Sequence, residues 1–283
     1  MSTIQILFAA HREWSSRPVD ERYWNLAELQ AAVSARKTAS KPSPVFVPAL
    51  RFGVTNNRLS ILGSDPKEGE QQMSLLPSHW AFTTLCELID IKPHAPLVRA
   101  MPAELAAQTM NWAVRTPQVT RKPHVMLWAN GENPGTVRAF NTTTYARMWD
   151  ETVVQWLRAV TQDETNGWHR PPAYTDDQYP SGLYASDRNI FTFLVNETNR
   201  IDDGSEKGLS RGFICWNSEV GQRSFGLQAF LYQWVCGNHI IWGFQNMFTV
   251  RMSHVGNMLN ERAAAVMQQG LQKYLTAPAS AEQ

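Results

Sequence analysis

The sequence predicts an α+β fold, with a helical N-terminal part followed by a mostly antiparallel sheet with hairpins and packed helices. Apolar residues recur at helical spacing between residues 78 and 115, whereas strand-like apolar runs separated by polar loops dominate from residue 189 onward. Because helical and strand-like stretches occur in separate blocks, their order favours an α+β fold over a doubly wound α/β fold.

The first elements of the chain are predicted from turn and breaker residues. Residues 20–33 have the pattern of a short helix, and Ser34–Pro44 is polar, basic and proline-containing, which is typical of a loop. Pro44–Leu62 is predicted to form two short strands joined at Asn56-Asn57, a dipeptide that tolerates positive φ. Residues 64–72 are charged and are expected to form a loop.

Two helices are predicted between residues 78 and 116. Ser78 is suited to be the N-cap of the first helix, because its hydroxyl can accept a hydrogen bond from a first-turn amide. The second helix begins near Pro102, since proline is favoured at the first helical position. The residues that we expect on its inward face are Leu105, Thr109, Trp112 and Ala113.

Thr116–Pro123, with two prolines and two basic residues, is the best candidate for a linker. The predicted division is therefore a strand-and-helix part at residues 1–116, an antiparallel α+β part at residues 117–275, and a disordered tail at residues 276–283. The elements expected in the second part are a hairpin at 124–140, a helix at about 145–160, a loop at 163–182, an antiparallel sheet at 189–244 with a turn at Gly237-Asn238, and a closing helix at 253–275. Within that sheet, residues 225–235 are apolar enough on both faces to suit a buried helix as well.

Composition restricts the classes of protein to consider. With 43% hydrophobic and 18% charged residues, the chain has enough apolar material for a core. The net charge is only +1, whereas a dedicated duplex-DNA binder usually carries a basic excess, so a nucleic-acid role requires a local patch. Arginine (19) outnumbers lysine (7), and arginine is the better partner for phosphates and stacked bases.

The three cysteines and the absence of long apolar runs indicate a cytoplasmic, soluble protein. Cys86, Cys215 and Cys236 are widely spaced and form no C-x-x-C pair, so neither a disulfide framework nor a zinc knuckle is expected. No apolar run of 18 residues is present, and the first ten residues lack the pattern of a signal peptide. We expect no membrane association and no cofactor.

Two local patterns resemble catalytic motifs. Gly208-Leu209-Ser210-Arg211-Gly212 matches G-x-S-x-G, but that nucleophile motif requires a strand before the serine and a helix after it. Here a loop precedes the serine and a strand-like run follows it, so the match is expected to be incidental. Carboxylates at Asp202, Asp203 and Glu219 offer an alternative, a metal site, if the fold brings them together.

The densest group of polar and aromatic residues lies between residues 211 and 244. Arg211, Trp216, Asn217, Glu219 and Arg223 cluster around one predicted turn. Such a cluster can bind a phosphate or a base, and it can equally serve only to cap the turn. The sequence leaves both interpretations open.

This stretch also resembles a family of phage and plasmid proteins (domain of unknown function 932). Asn217-Ser218-Glu219-Val220-Gly221 and Cys236-Gly237-Asn238 are similar to the two parts of its signature, and Val137-Arg138-Ala139-Phe140 with Tyr145 is similar to a third segment. The chain has Thr142 where the family usually has serine, and Gly237 where it usually has threonine. The resemblance covers about residues 75–250 and implies a mobile-element setting without an established activity.

Three functions are compatible with these patterns. The first is non-enzymatic nucleic-acid binding in mobile-element DNA replication or recombination, with single-strand annealing as one form, because single-strand binders combine basic and aromatic residues. The second is a metal-dependent nuclease or hydrolase, and the third is a protein-binding module that modulates a host factor. Expected partners are single-stranded DNA, a second copy of the chain, or a host protein. The candidate nucleic-acid-binding residues are Arg138, Tyr145, Arg147, Arg211, Trp216, Asn217 and Arg223.

Overall fold

The computed structural model describes residues 16–63, 73–129, 134–171, 180–201, 209–233, 240–242, 249–256 and 259–276. The chain forms two compact units. Ala35–Tyr145 forms one, which we call the inserted unit, and Met1–Ser34 with Ala146–Gln283 forms the other, which we call the terminal unit. Both combine helices with a mostly antiparallel sheet, which confirms the α+β class. The predicted linker Thr116–Pro123 lies inside the inserted unit, so the units divide at other positions than the predicted parts do.

The inserted unit contains one sheet in the order β1-β5-β6-β4-β3-β2, in which only the β4–β6 pair is parallel. Its described strands are β1 (Ser40–Val45), β2 (Arg51–Thr55), β3 (Arg58–Leu62), β4 (Ser74–Pro77), β5 (His124–Ala129) and β6 (Gly135–Thr142). Helix α1 (Leu26–Ala39) precedes β1, and its residues up to Ser34 belong to the terminal unit. The helices between β4 and β5 are α2 (His79–Leu88), α3 (Ala95–Ala100) and α4 (Ala103–Ala113).

Strand β1 corrects two predictions near the start of the chain. The predicted helix at residues 20–33 begins later and ends later, as α1, and the predicted loop Ser34–Pro44 is wrong because the end of α1 and most of β1 occupy it. Prolines lack the N–H that a central strand needs, and Pro42 and Pro44 suggested a loop for that reason. β1 is an edge strand that pairs only with β5 among the described strands, so it tolerates both prolines.

One predicted turn and one predicted helix cap are confirmed. Asn56 and Asn57 have φ of 50° and 56° and join β2 to β3 as an antiparallel hairpin. The Ser78 hydroxyl accepts a hydrogen bond from the Ala81 amide at 3.2 Å and caps α2. The predicted hairpin of β5 and β6 is also present, although its turn at Asn130-Gly131 lies outside the described residues.

The predicted inward face of α4 is wrong at two of its four residues and right at Ala113. Leu105 is 48% exposed and Trp112 is 67% exposed, whereas Ala113 is buried. The other buried residues of α4 are also small or flexible, namely Ala106, Ala107 and Met110. Small side chains let the helix approach the sheet closely. The side chain of Asn111 fixes the approach, because it both donates to the Phe52 carbonyl (2.7 Å) and accepts from the Phe52 amide (3.0 Å) on edge strand β2.

The terminal unit contains an antiparallel sheet in the order β12-β11-β10-β9-β7, with β13 paired to β11 and β8 paired to β9. Its described strands are β7 (Trp168–His169), β8 (Leu183–Ala185), β9 (Ile190–Ile201), β10 (Leu209–Asn217), β11 (Phe225–Gln233), β12 (Ile240–Trp242) and β13 (Thr249–Met252). The predicted sheet in this region is confirmed, and residues 225–233 form a strand and not a helix. The turn at Gly237-Asn238 lies outside the described residues.

Side chains on β9, β10 and β11 alternate between two buried faces of this sheet. Leu194, Phe213 and Leu227 belong to a core that also contains residues of α1 and of the later helices α5 (Asp150–Thr161) and α6 (Leu259–Thr276). Their neighbours Phe193, Ile214 and others form a second, aromatic-rich cluster. Because successive side chains point to opposite faces and both faces are buried, these strands appear in the sequence as continuous apolar runs.

The two remaining helices are shorter at their N-termini than predicted. α5 begins at Asp150, and α6 begins at Leu259 because the segment before it contributes β13. Of the predicted tail, Thr276 ends α6 and the rest lies outside the described residues. Among the described helices, none is long and apolar enough to cross a membrane.

Candidate nucleic-acid interface

Several of the predicted binding residues lie inside the protein. Arg138 and Tyr145 belong to the inserted unit, and the other candidates belong to the terminal unit. Arg138 is only 5% exposed, and its guanidinium donates to the Ser40 hydroxyl at 2.9 Å. Tyr145 is half-buried at the end of the inserted unit.

Trp216 packs flat against the sheet. It is 9% exposed and stacks near Phe191, with ring centroids 6.5 Å apart and ring planes 15° apart. Its ring covers Gly226 on the paired strand, where an added Cβ would lie 2.8 Å from Trp216 Cη2. A base therefore has no access to the face of Trp216 that covers Gly226.

Two of the three predicted binding arginines of the terminal unit lie beside aromatic rings. Arg211 is 8% exposed, with its guanidinium carbon 5.9 Å from the Tyr274 ring centroid. Arg147 donates to the Glu219 carbonyl and lies 5.5 Å from the Trp149 ring centroid. Arg223 is half-buried.

The turn at residues 217–221 holds the start of α5. The Glu219 carboxylate accepts from the Asp150 amide at 3.2 Å, at the first residue of the helix. The Asn217 side-chain amide donates to the Asp150 carboxylate at 2.7 Å and to the Met148 carbonyl at 2.9 Å. Asn217, Glu219 and Asp150 are all fully buried. A carboxylate at a helix N-terminus stabilises the helix, so the geometry of this turn fits a structural role.

The catalytic alternatives gain no support from the described part of the chain. Asp202 and Asp203 lie outside it, and no described group of three His, Cys, Asp or Glu residues is placed to hold a metal ion. Ser210 is 5% exposed within β10, which continues as a strand to Asn217. The strand-to-helix turn that a nucleophilic serine of this motif requires is therefore not formed.

A groove of about 340 Å³ in the inserted unit brings together Arg58, His79 and Arg99, which are not among the predicted binding residues. We call it the arginine groove. Its rim carries Arg58, from the β2–β3 hairpin, with His79 from α2 and Arg99 from α3. All three are exposed. Its other lining residues are Asn57, Leu59, Pro77, Ser78, Phe82, Val98, Met101, Ala103 and Ala106.

Arg99 is held in a defined position at this rim. Its guanidinium contacts His79 Nε2 at 2.8 Å, donates to the Thr83 hydroxyl at 3.1 Å, and lies 5.0 Å from the centroid of the Phe82 ring. Because a guanidinium can only donate, His79 Nε2 is the acceptor in this arrangement. Burial raises the pKa of the Cys86 thiol to about 11, and the positive charge of Arg99 acts in the opposite direction.

The groove is electropositive because its described lining residues include two arginines and no carboxylate. Its floor is apolar, with the ring of Phe82 and the side chains of Val98 and Met101. This combination suits an anion that also carries an apolar or planar part, such as a nucleotide unit. The only sequence signals next to these residues are the turn dipeptide Asn56-Asn57 before Arg58 and the helix cap Ser78 before His79.

No family model matches the chain, and no match to it is found among curated proteins or solved structures.

Proposed function

We propose that this protein binds single-stranded nucleic acid without catalysing a reaction on it, and that the arginine groove is the contact surface. The observation that carries the proposal is the lining of the groove, in which Arg58 and Arg99 flank an apolar floor without a described carboxylate. Proteins that bind single strands combine a positively charged groove with aromatic or apolar surfaces for the bases.

The identity of the cations also favours a phosphate ligand. Arginine presents a planar fork of donors that matches the phosphate oxygens. Arg99 is preorganised by Thr83 and by the Phe82 ring, so less side-chain entropy is lost when it binds. Arg58 is exposed and lines the same groove, so it supplies a second guanidinium for a neighbouring phosphate in this proposal.

The biological setting of this binding is a separate part of the proposal. The resemblance to the phage and plasmid family supports a role in mobile-element DNA replication or recombination, of which single-strand annealing is one form. The turn at residues 217–221 holds helix α5, so the proposed contact to nucleic acid is assigned to other residues.

The proposal is tested by fluorescence anisotropy with a labelled single-stranded oligonucleotide. We expect Arg58→Ala and Arg99→Ala each to weaken binding by about tenfold, because each removes a charge-assisted contact to phosphate. Arg262→Ala is the matched control, since Arg262 is an exposed arginine on α6 in the terminal unit.

Two outcomes would contradict the proposal. One is the absence of measurable affinity for single strands at low salt. The other is an equal affinity of the groove variants and the Arg262→Ala control. A protein-binding role would then lead, and the exposed Leu97 (60%) and Leu105 (48%) would be the first surface to test.

A further inference from the structure

A second surface of the inserted unit exposes a tryptophan beside an arginine. Trp112 is 67% exposed, which is the highest value among the exposed large hydrophobic residues described. It lies near the C-terminal end of α4. Together with Gln108, Asn111, Arg115 and Thr116 it lines an open groove of about 520 Å³, which we call the Trp112 surface.

The chemistry of this surface restricts its ligand. Arg115 is exposed, and the described lining residues contain no carboxylate. The surface therefore favours a negatively charged ligand over a positively charged one. Gln108 and Thr116 offer neutral donors and acceptors. The side-chain amide of Asn111 makes two hydrogen bonds to the Phe52 backbone, so it connects α4 to strand β2. A planar ligand with a polar edge and an attached negative charge satisfies all these groups.

We infer that Trp112 is a stacking platform for a base of the bound single strand, with Arg115 contacting the adjacent phosphate. This inference rests on the proposed function and names a second contact region for the same ligand. Helix α4 contributes to both regions, because Ala103 and Ala106 line the arginine groove and Gln108 and Trp112 line the Trp112 surface. Stacking on an indole accepts every base, so the contact adds affinity without sequence preference.

The test compares two probes of equal length and charge, an oligothymidylate and an abasic deoxyribose-phosphate strand. Trp112→Ala should weaken oligothymidylate binding by roughly fivefold or more and leave abasic binding unchanged, since only the first probe has bases to stack. Trp112→Phe should recover part of the loss. Trp24→Ala is the matched control, because Trp24 is also exposed (47%) and also lies beside an arginine, Arg170, but in the terminal unit.

The outcomes distinguish failure of the base-stacking role from failure of the proposed single-strand binding. If the wild-type protein binds neither probe, the proposed function fails and the inference fails with it. If the wild-type protein binds and Trp112→Ala weakens both probes equally or neither, only the base-stacking role is overturned. The role is also overturned if light scattering shows that the protein is a dimer and that Trp112→Ala makes it a monomer, because a second copy then covers this surface.

Discussion

Replacing Gly226 by alanine places a methyl group under the ring of Trp216. The new Cβ would lie 2.8 Å from Trp216 Cη2 and closer still to two other ring atoms. Carbon atoms in contact are separated by about 3.5–4.0 Å, so the ring atoms nearest to the new Cβ must shift by more than about 1 Å. Trp216 is packed in a buried aromatic cluster with Phe191 and Phe230, which leaves little room for that shift.

The expected cost follows from overpacking in a core. Gly226→Ala should destabilise the terminal unit by about 1–3 kcal/mol, although alanine alone is better than glycine in a strand by about 0.5–1 kcal/mol. Trp216→Ala should cost about 3–5 kcal/mol. In the Trp216→Ala background the clash is absent, so Gly226→Ala should become neutral or stabilising there.

Urea unfolding of the wild type, both single variants and the double variant measures this cycle. We expect a coupling free energy on the order of 2 kcal/mol, with a change in the sign of the Gly226→Ala effect. Hydrogen exchange of β10 and β11 amides should rank the four proteins in the same order of stability as urea unfolding does. An equal cost of Gly226→Ala in both backgrounds would refute the packing role of Trp216 and return this residue to the list of stacking candidates.

Further predictions concern buried polar groups. The Tyr274 hydroxyl donates to the Phe230 carbonyl at 2.6 Å, so Tyr274→Phe should lower the free energy of unfolding by about 1–2 kcal/mol in urea titrations; an unchanged value would contradict this contact. Burial lowers the pKa of His254 below its ordinary value, so stability should fall as pH drops from 7 towards 5, by at most about 1.4 kcal/mol per pH unit. His254→Gln should flatten that fall, and a slope that stays the same would exclude His254 as its cause. Burial raises the pKa of the Cys86 thiol to about 11 and raises that of Cys215 as well, so neither should react with a thiol reagent at pH 8 until the protein unfolds, as peptide mass spectrometry would show.

The sequence predicts the strands of the terminal unit because both faces of that sheet are apolar. Strands β9, β10 and β11 appear as apolar runs between polar loops, and the helix alternative for residues 225–235 arose from the same double-sided pattern. The sequence fails at β1 and at α4 for reasons of context. Edge position makes prolines acceptable in β1, and close packing favours alanines over Leu105 and Trp112 at the inner face of α4.

The candidate site was less predictable than the fold. Sequence proximity grouped Arg211, Asn217 and Glu219 around one turn, and the structure uses Asn217 and Glu219 to hold α5. Arg58 and Arg99 are far apart along the chain and meet only because the hairpin and α3 border the same groove. Local patterns identify caps and turns, whereas a surface built from several elements depends on the tertiary fold.

The salt dependence of single-strand binding tests the central claim most directly. For single strands, each phosphate contact contributes a slope of about 0.7 when log affinity is plotted against log salt concentration. If Arg58 and Arg99 each contact one phosphate, the double variant Arg58→Ala/Arg99→Ala should bind more weakly and have a slope about 1.4 shallower than that of the wild type. The Arg262→Ala control should keep the wild-type slope. A double variant that retains the wild-type affinity and slope would contradict the claim that this groove binds the strand.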